Sequence, residues 1–283
     1  MLAAAAVLLH GDTAFSWARW PIHPSTAIGC ALFLGLYFMA VGPWRLKYNL
    51  GSAPALGQLI SFTSGVIVIF VALNGPLHEL ADNYLFSAHM VQHLMLTLLM
   101  PPLLLVGTPT WLARLVIRKT VGLATARILT RPLIAFALYN IVLAGWHFPQ
   151  FYNWALEDHN VHIAQHLMFM VTATLVWWPV ADPVPELSHM QPPVRLLYLF
   201  ALSIPMSMIS ALITLSETVL YGWYEAAPRV FNLSTLGDQQ LGGLIMWVPG
   251  ALVYWIAISI LYFRWSSKED REEAAHRAAL ARS

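Results

Sequence analysis

The sequence predicts an all-α integral membrane protein with seven transmembrane helices, its N-terminus outside and its C-terminus in the cytoplasm. Three observations carry that expectation. Of 283 residues, 58% are hydrophobic and only 10% charged, against roughly 25% charged in an ordinary soluble domain. Apolar runs close to the ~20 residues needed to cross a bilayer recur seven times. Lys and Arg, which accumulate on the cytoplasmic side of membrane proteins, fall almost wholly in alternate loops.

Residues 1–23 read as an external N-terminal arm. Their opening apolar run is too short to span and follows no basic segment, so it fits a short interfacial helix or a truncated signal peptide. Residues 24–265 form the membrane domain, with spans at 24–41, 56–74, 86–107, 132–147, 161–179, 196–215 and 240–263. The fourth is the shortest. The first holds Cys30, the only cysteine, which excludes an internal disulfide or a paired-cysteine motif and reads as packing. Intervening stretches carry Pro, Gly and nearly all the charge and read as short loops. Prolines interrupt three spans, at Pro101-Pro102, Pro205 and Pro249-Gly250, and the backbone groups they free must find partners in protein or in a wet cavity. Residues 266–283 mix both charge signs and read as a solvated, partly helical cytoplasmic tail.

With the N-terminus outside, 13 of the 15 basic residues lie within, leaving only Arg19 and Arg229 outside. The net charge of +1 is spread over separate loops, so nothing indicates nucleic-acid binding. The same map puts nine of the eleven histidines, all but His189 and His276, towards the outer face. Histidines used only for core packing would have no reason to choose one leaflet.

Two of these clusters share a pattern: His89-Met-Val-Gln-His93 and His162-Ile-Ala-Gln-His166, each followed by Leu-Met. Four residues of helix advance about 400°, so each pair lies on one face, one turn apart. Imidazoles within membrane segments are by default functional-site candidates, and two such pairs point to a metal held by His89, His93, His162 and His166. Gln92 and Gln165 read as partners that fix an imidazole tautomer. His159, on the same stripe as His162, reads as a fifth ligand or an access-side relay. His78 and His147, each beside a proline, divide evenly between capping and ligation. Asp238 and Gln239 stand at the outer end of the seventh span and Glu217 near that of the sixth, where interfacial placement is the default and Asp238 the leading exception. Met246, like Met100, Met206 and Met208, offers soft sulfur, although packing is the usual role of methionine in a membrane helix. His10, His23, His189 and His276 are set aside as ordinary polar contacts. No catalytic residue is assigned.

Imidazole with accessible thioether suits copper in either valence, an all-imidazole tetrahedral site also suits zinc, and raw affinity favours copper. Haem iron fits less well, because paired histidines exceed what axial ligation needs and no C-x-x-C-H is present. A membrane metallohydrolase would need an open coordination position and a base, for which Asp238, Glu217 or Glu157 are available; the absence of H-E-x-x-H weighs against it.

His89-x-x-Gln-His93-Leu, Pro101-Pro102-Leu-Leu-Leu-x-Gly107-x-Pro109, Trp146-His147-x-Pro149, His162-x-x-x-His166, Asp238-Gln239 and Gly243-x-x-Met246-Trp247-x-Pro249-Gly250 occur in this order. Together they resemble the multi-helix bacterial CtaG-like cytochrome c oxidase assembly factor family, over residues 75–265. The resemblance implies a non-enzymatic factor of the bacterial cytoplasmic membrane that supplies copper to a haem-copper oxidase. An oxidase subunit, a periplasmic copper donor and the lipid bilayer would be its partners. The sequence carries no signal for oligomeric state.

Overall fold

The computed structural model describes residues 15–187 and 190–281, so His10 and His189 lie outside the described residues. Among the described residues every regular element is helical. In chain order these are α1 (Pro24–Tyr48), α2 (Leu56–Ala72), α3 (Gly75–Asn83), α4 (Phe86–Gly107), α5 (Thr110–Thr120), α6 (Leu123–Leu129), α7 (Pro132–His147), α8 (Pro149–Glu157), α9 (His159–Ala181), α10 (Pro192–Thr214) and α11 (Thr235–Leu280). Five of them, α1, α4, α9, α10 and α11, are long and apolar enough to cross a membrane. Two bent pairs, α2 with α3 at 45° and α6 with α7 at 67°, raise the count to seven if each is one span.

The third and fourth expected spans, 86–107 and 132–147, coincide with α4 and α7. The expectation that the intervening stretches are all short loops is corrected: α3, α5, α6 and α8 are helices. Pro76 and Pro149 lie in the first turns of α3 and α8, where a missing N–H is no loss, so they start helices as readily as they stop them. The last helix continues past residue 263 to Leu280. Its tail is rich in Ala, Glu, Lys and Arg, good helix formers, and carries i, i+4 pairs Lys268–Glu272 and Glu273–Arg277.

Helix α4 is the hub, packing against α2, α9 and α11, while α10 lies along α11 and α7 against α9. Lipid tails are as apolar as Leu, so close packing and buried hydrogen bonds, rather than escape from water, must hold such a bundle together. Pro101 illustrates this. It cannot donate to the Thr97 carbonyl four residues back, the helix widens to π geometry over Met95–Leu99, and Trp177 Nε1 of α9 donates to that carbonyl at 3.0 Å. A second device joins α11 to α4. A Cβ on Gly242 would lie 2.3 Å from the Phe86 ring, so only glycine allows this approach. One turn earlier, the Asp238 carboxylate accepts from Phe86 N at 2.7 Å, Ser87 N at 3.2 Å and Ser87 Oγ at 2.5 Å. Leu85, the residue before α4, has no side-chain cap of its own; α11 supplies one, with negative charge at the positive end of the helix dipole.

A short turn, Gly222–Glu225, roofs this end of the bundle. Tyr224 Oη donates to Ala81 O at 2.7 Å and Trp223 Nε1 to Asp82 O at 2.8 Å, holding the end of α3. Tyr221 Oη donates to His147 O at 3.0 Å, holding the end of α7.

Candidate metal centre

The N-terminal ends of α4 and α9 meet under this roof, and their histidines pair in register. The His89 ring stacks on His162 with centroids 5.5 Å apart and an 18° interplanar angle, and His93 meets His166 edge-on at 5.5 Å. All four are buried. His89 Nε2 and His93 Nε2 approach to 2.8 Å, so one must donate a proton to the other or both must face a shared cation.

The donors fall into two overlapping groups. His89, His93 and His166 offer ligand atoms within 4.8 Å of one another, and so do Asp82, His89 and His162. Sequence reasoning missed Asp82. It follows His78 by four residues, the spacing already informative elsewhere in the chain, but in a stretch read as a loop. Its Oδ2 lies 3.3 Å from His78 Nε2 and 3.7 Å from His162 Nδ1.

The remaining candidates take distinct places. Gln92 donates to Ala72 O at 2.9 Å and meets His78 Nδ1 at 3.0 Å, so it orients His78 and not a paired-motif histidine. Gln165 is buried and neither of its polar atoms has a hydrogen-bond partner. His147 turns its Nδ1 to Leu143 O at 2.7 Å, and its ring stands 6.3 Å from His93. Asp238 and Gln239 are buried, with Asp238 spent on capping α4 and Gln239 accepting from Leu220 N at 2.7 Å; interfacial placement is corrected for both. Glu217 is exposed. Met246 sits below the cluster, beside His93 and His147.

Two cavities reach the cluster. One of about 490 Å³ is mainly apolar, lined by Cys30, Phe33, Ile69 and Leu167 together with His162 and His166. The other, about 440 Å³, is lined by Arg19, Glu79, Glu157 and Asp82. His23, His78, His159 and His162 border both, which puts exposed His159 at the mouth. His23, outside the spans, is held below the usual imidazole range by burial and secondarily by nearby His159.

Whether these residues suit a cation is decided by their unused donors. His93 Nδ1, His162 Nε2, His166 Nε2 and Asp82 Oδ1 are buried without a hydrogen-bond partner. Leaving one such group unmade costs about 1–3 kcal/mol, and a bound cation would offer a partner to those that face it. An imidazole and carboxylate set of this kind suits a transition metal.

Fold and centre together define a polytopic helical membrane protein with a buried histidine cluster near one end of its bundle. The chain belongs to the cytochrome c oxidase caa3 assembly factor family (Caa3_CtaG), whose family model matches residues 35–268. It is 27% identical over 265 residues to the uncharacterized protein Mb0105 of Mycobacterium bovis, covering 88% of this chain and 39% of that protein. It is 22% identical over 266 residues to the uncharacterized protein ML1998 of Mycobacterium leprae, covering 85% and 38%. The chain thus spans about two-fifths of the length of these relatives. No solved structure matches it.

Proposed function

We propose that this protein binds copper at the His89/His93/His166 and Asp82/His89/His162 groups and passes it to a haem-copper oxidase during assembly. The observation that carries this reading is that two His-x-x-Gln-His motifs meet in two overlapping ligand groups that share His89, with buried ring nitrogens that have no hydrogen-bond partner. Family membership supplies the client class. In this reading the chain crosses the bacterial cytoplasmic membrane seven times, each bent pair counting as one span, with the N-terminus outside. The centre then faces the periplasm, where a copper donor reaches it without crossing the bilayer. His89 and His162 receive the ion, Asp82 offsets its charge, and His78 with Gln92 fixes the carboxylate.

The test is a deletion strain. Oxidase polypeptides should remain in the membrane with lowered copper content and activity, and added copper should partly restore both by mass action. A strain carrying H89A/H93A, with the variant protein present, should match the deletion. Unchanged oxidase copper and activity in that strain would refute the assignment.

A second reading has one observation in its favour: two histidines and a carboxylate beside a roomy cavity also describe a catalytic zinc site, with Glu157 lining that cavity. Lipid or amide turnover by the zinc-loaded protein, abolished by D82N, would favour it.

A further inference from the structure

Beside the histidine cluster lies a second group of side chains of different chemistry. A void of about 10 Å³ is bordered by Met90, His93, Tyr139, His147, Met206 and Met246. That volume is about the least that holds a single water, so a small-molecule substrate is excluded. All six residues are buried.

His147 lines this space with one ring nitrogen unpaired. Its Nδ1 faces the Leu143 carbonyl at 2.7 Å, and a carbonyl only accepts, so Nδ1 carries the proton and Nε2 is left as an acceptor. Nε2 is buried with no hydrogen-bond partner. A backbone carbonyl fixing one ring nitrogen while the other waits for a cation is the usual arrangement of a ligating histidine.

Three methionines also line the void. Met90, Met206 and Met246 come from α4, α10 and α11, so their meeting owes nothing to helical periodicity within one element. Pro249-Gly250 makes room for one of them: a Cβ on Gly250 would lie 2.7 Å from Met206 Cε and 3.3 Å from Met206 Sδ. Thioethers with one imidazole select a soft monovalent ion, Cu(I), over zinc.

His93 touches both places. Its Nε2 faces His89 at 2.8 Å, its Nδ1 is buried and unpartnered, and its ring centre is 6.3 Å from that of His147.

We propose a second, deeper Cu(I) site formed by His147 Nε2 with the thioethers of Met206 and Met246, adjoining the histidine cluster through His93. This rests on the copper reading above and adds a direction to it: the ion moves from nitrogen ligands to sulfur ligands without change of valence, by exchange of one ligand at a time around His93.

The full chain, purified in detergent and loaded anaerobically with Cu(I), should show a copper–sulfur shell in X-ray absorption. M206L/M246L, which preserves side-chain volume, should lose that shell and one equivalent of Cu(I) while still binding Zn(II), which also reports that it has folded. H162A/H166A should keep the sulfur shell and lose Zn(II). Copper bound only by nitrogen in the unsubstituted protein, or a sulfur shell that survives M206L/M246L, overturns the deeper site and leaves the histidine cluster standing. Absence of both copper and zinc binding overturns both.

Discussion

Replacing Asp238 with Ala removes three hydrogen bonds at once and tests whether α11 sets the position of His89. Phe86 N, Ser87 N and Ser87 Oγ all donate to this carboxylate. The Ser87 hydroxyl can turn to a nearby carbonyl, but the two N–H groups at a buried helix start cannot. At about 1–3 kcal/mol for each unsatisfied buried donor, D238A should lose about 2–6 kcal/mol, partly offset because a carboxylate no longer has to be desolvated. D238N keeps one acceptor and should lose less. The loss is read by unfolding in mixed micelles of dodecyl maltoside and SDS, with S87A and the double variant closing a cycle; the two changes should be strongly non-additive. Zn(II) or copper affinity should fall alongside, since His89 is two residues beyond Ser87. A D238A protein within about 0.5 kcal/mol of the unsubstituted chain, the range of an ordinary surface substitution, with full metal affinity would refute the idea that this cap positions the centre.

H89A/H93A and H162A/H166A should each remove bound metal while leaving membrane insertion intact, because insertion depends on apolar length; H276A should do neither, and full metal content in both double variants would assign the motifs to packing. An N-terminal tag should be accessible from the periplasm and a C-terminal tag only from the cytoplasm; both on one side would exclude the seven-span arrangement. W177F should orphan the Thr97 carbonyl and lower stability by about 1–3 kcal/mol, whereas an unchanged unfolding midpoint would mean that the widened turn of α4 satisfies itself.

Long apolar runs were legible in the sequence because length and composition identify a candidate span, as at residues 86–107; 132–147 was legible as a helix, but it passes as a span only together with α6. Short helices were not. Segment 75–83 begins with Gly-Pro and carries His, Glu and Asp in nine residues, so no apolar stripe announces it and Asp82 was overlooked with it. The paired histidines were visible because their partners are one turn apart on the same helix. Asp238, by contrast, acts on Phe86 and Ser87 from about 150 residues away, and only tertiary packing reveals which backbone it caps. Likewise, the methionines were indistinguishable from packing residues until three helices brought three of them to one void.

Helix α11 runs for 46 residues, about 69 Å at 1.5 Å per residue, more than twice the ~30 Å hydrocarbon thickness of a bilayer. Its first turn grips the start of α4 beside the candidate metal-binding histidines, and its far end stands clear of the bundle with exposed charge. Mechanically this is a pointer with its pivot near the centre. For a helix moving as one rod, a tilt of about 5° at the Asp238 end would sweep the other end through about 6 Å over that length, a displacement as large as one turn of helix.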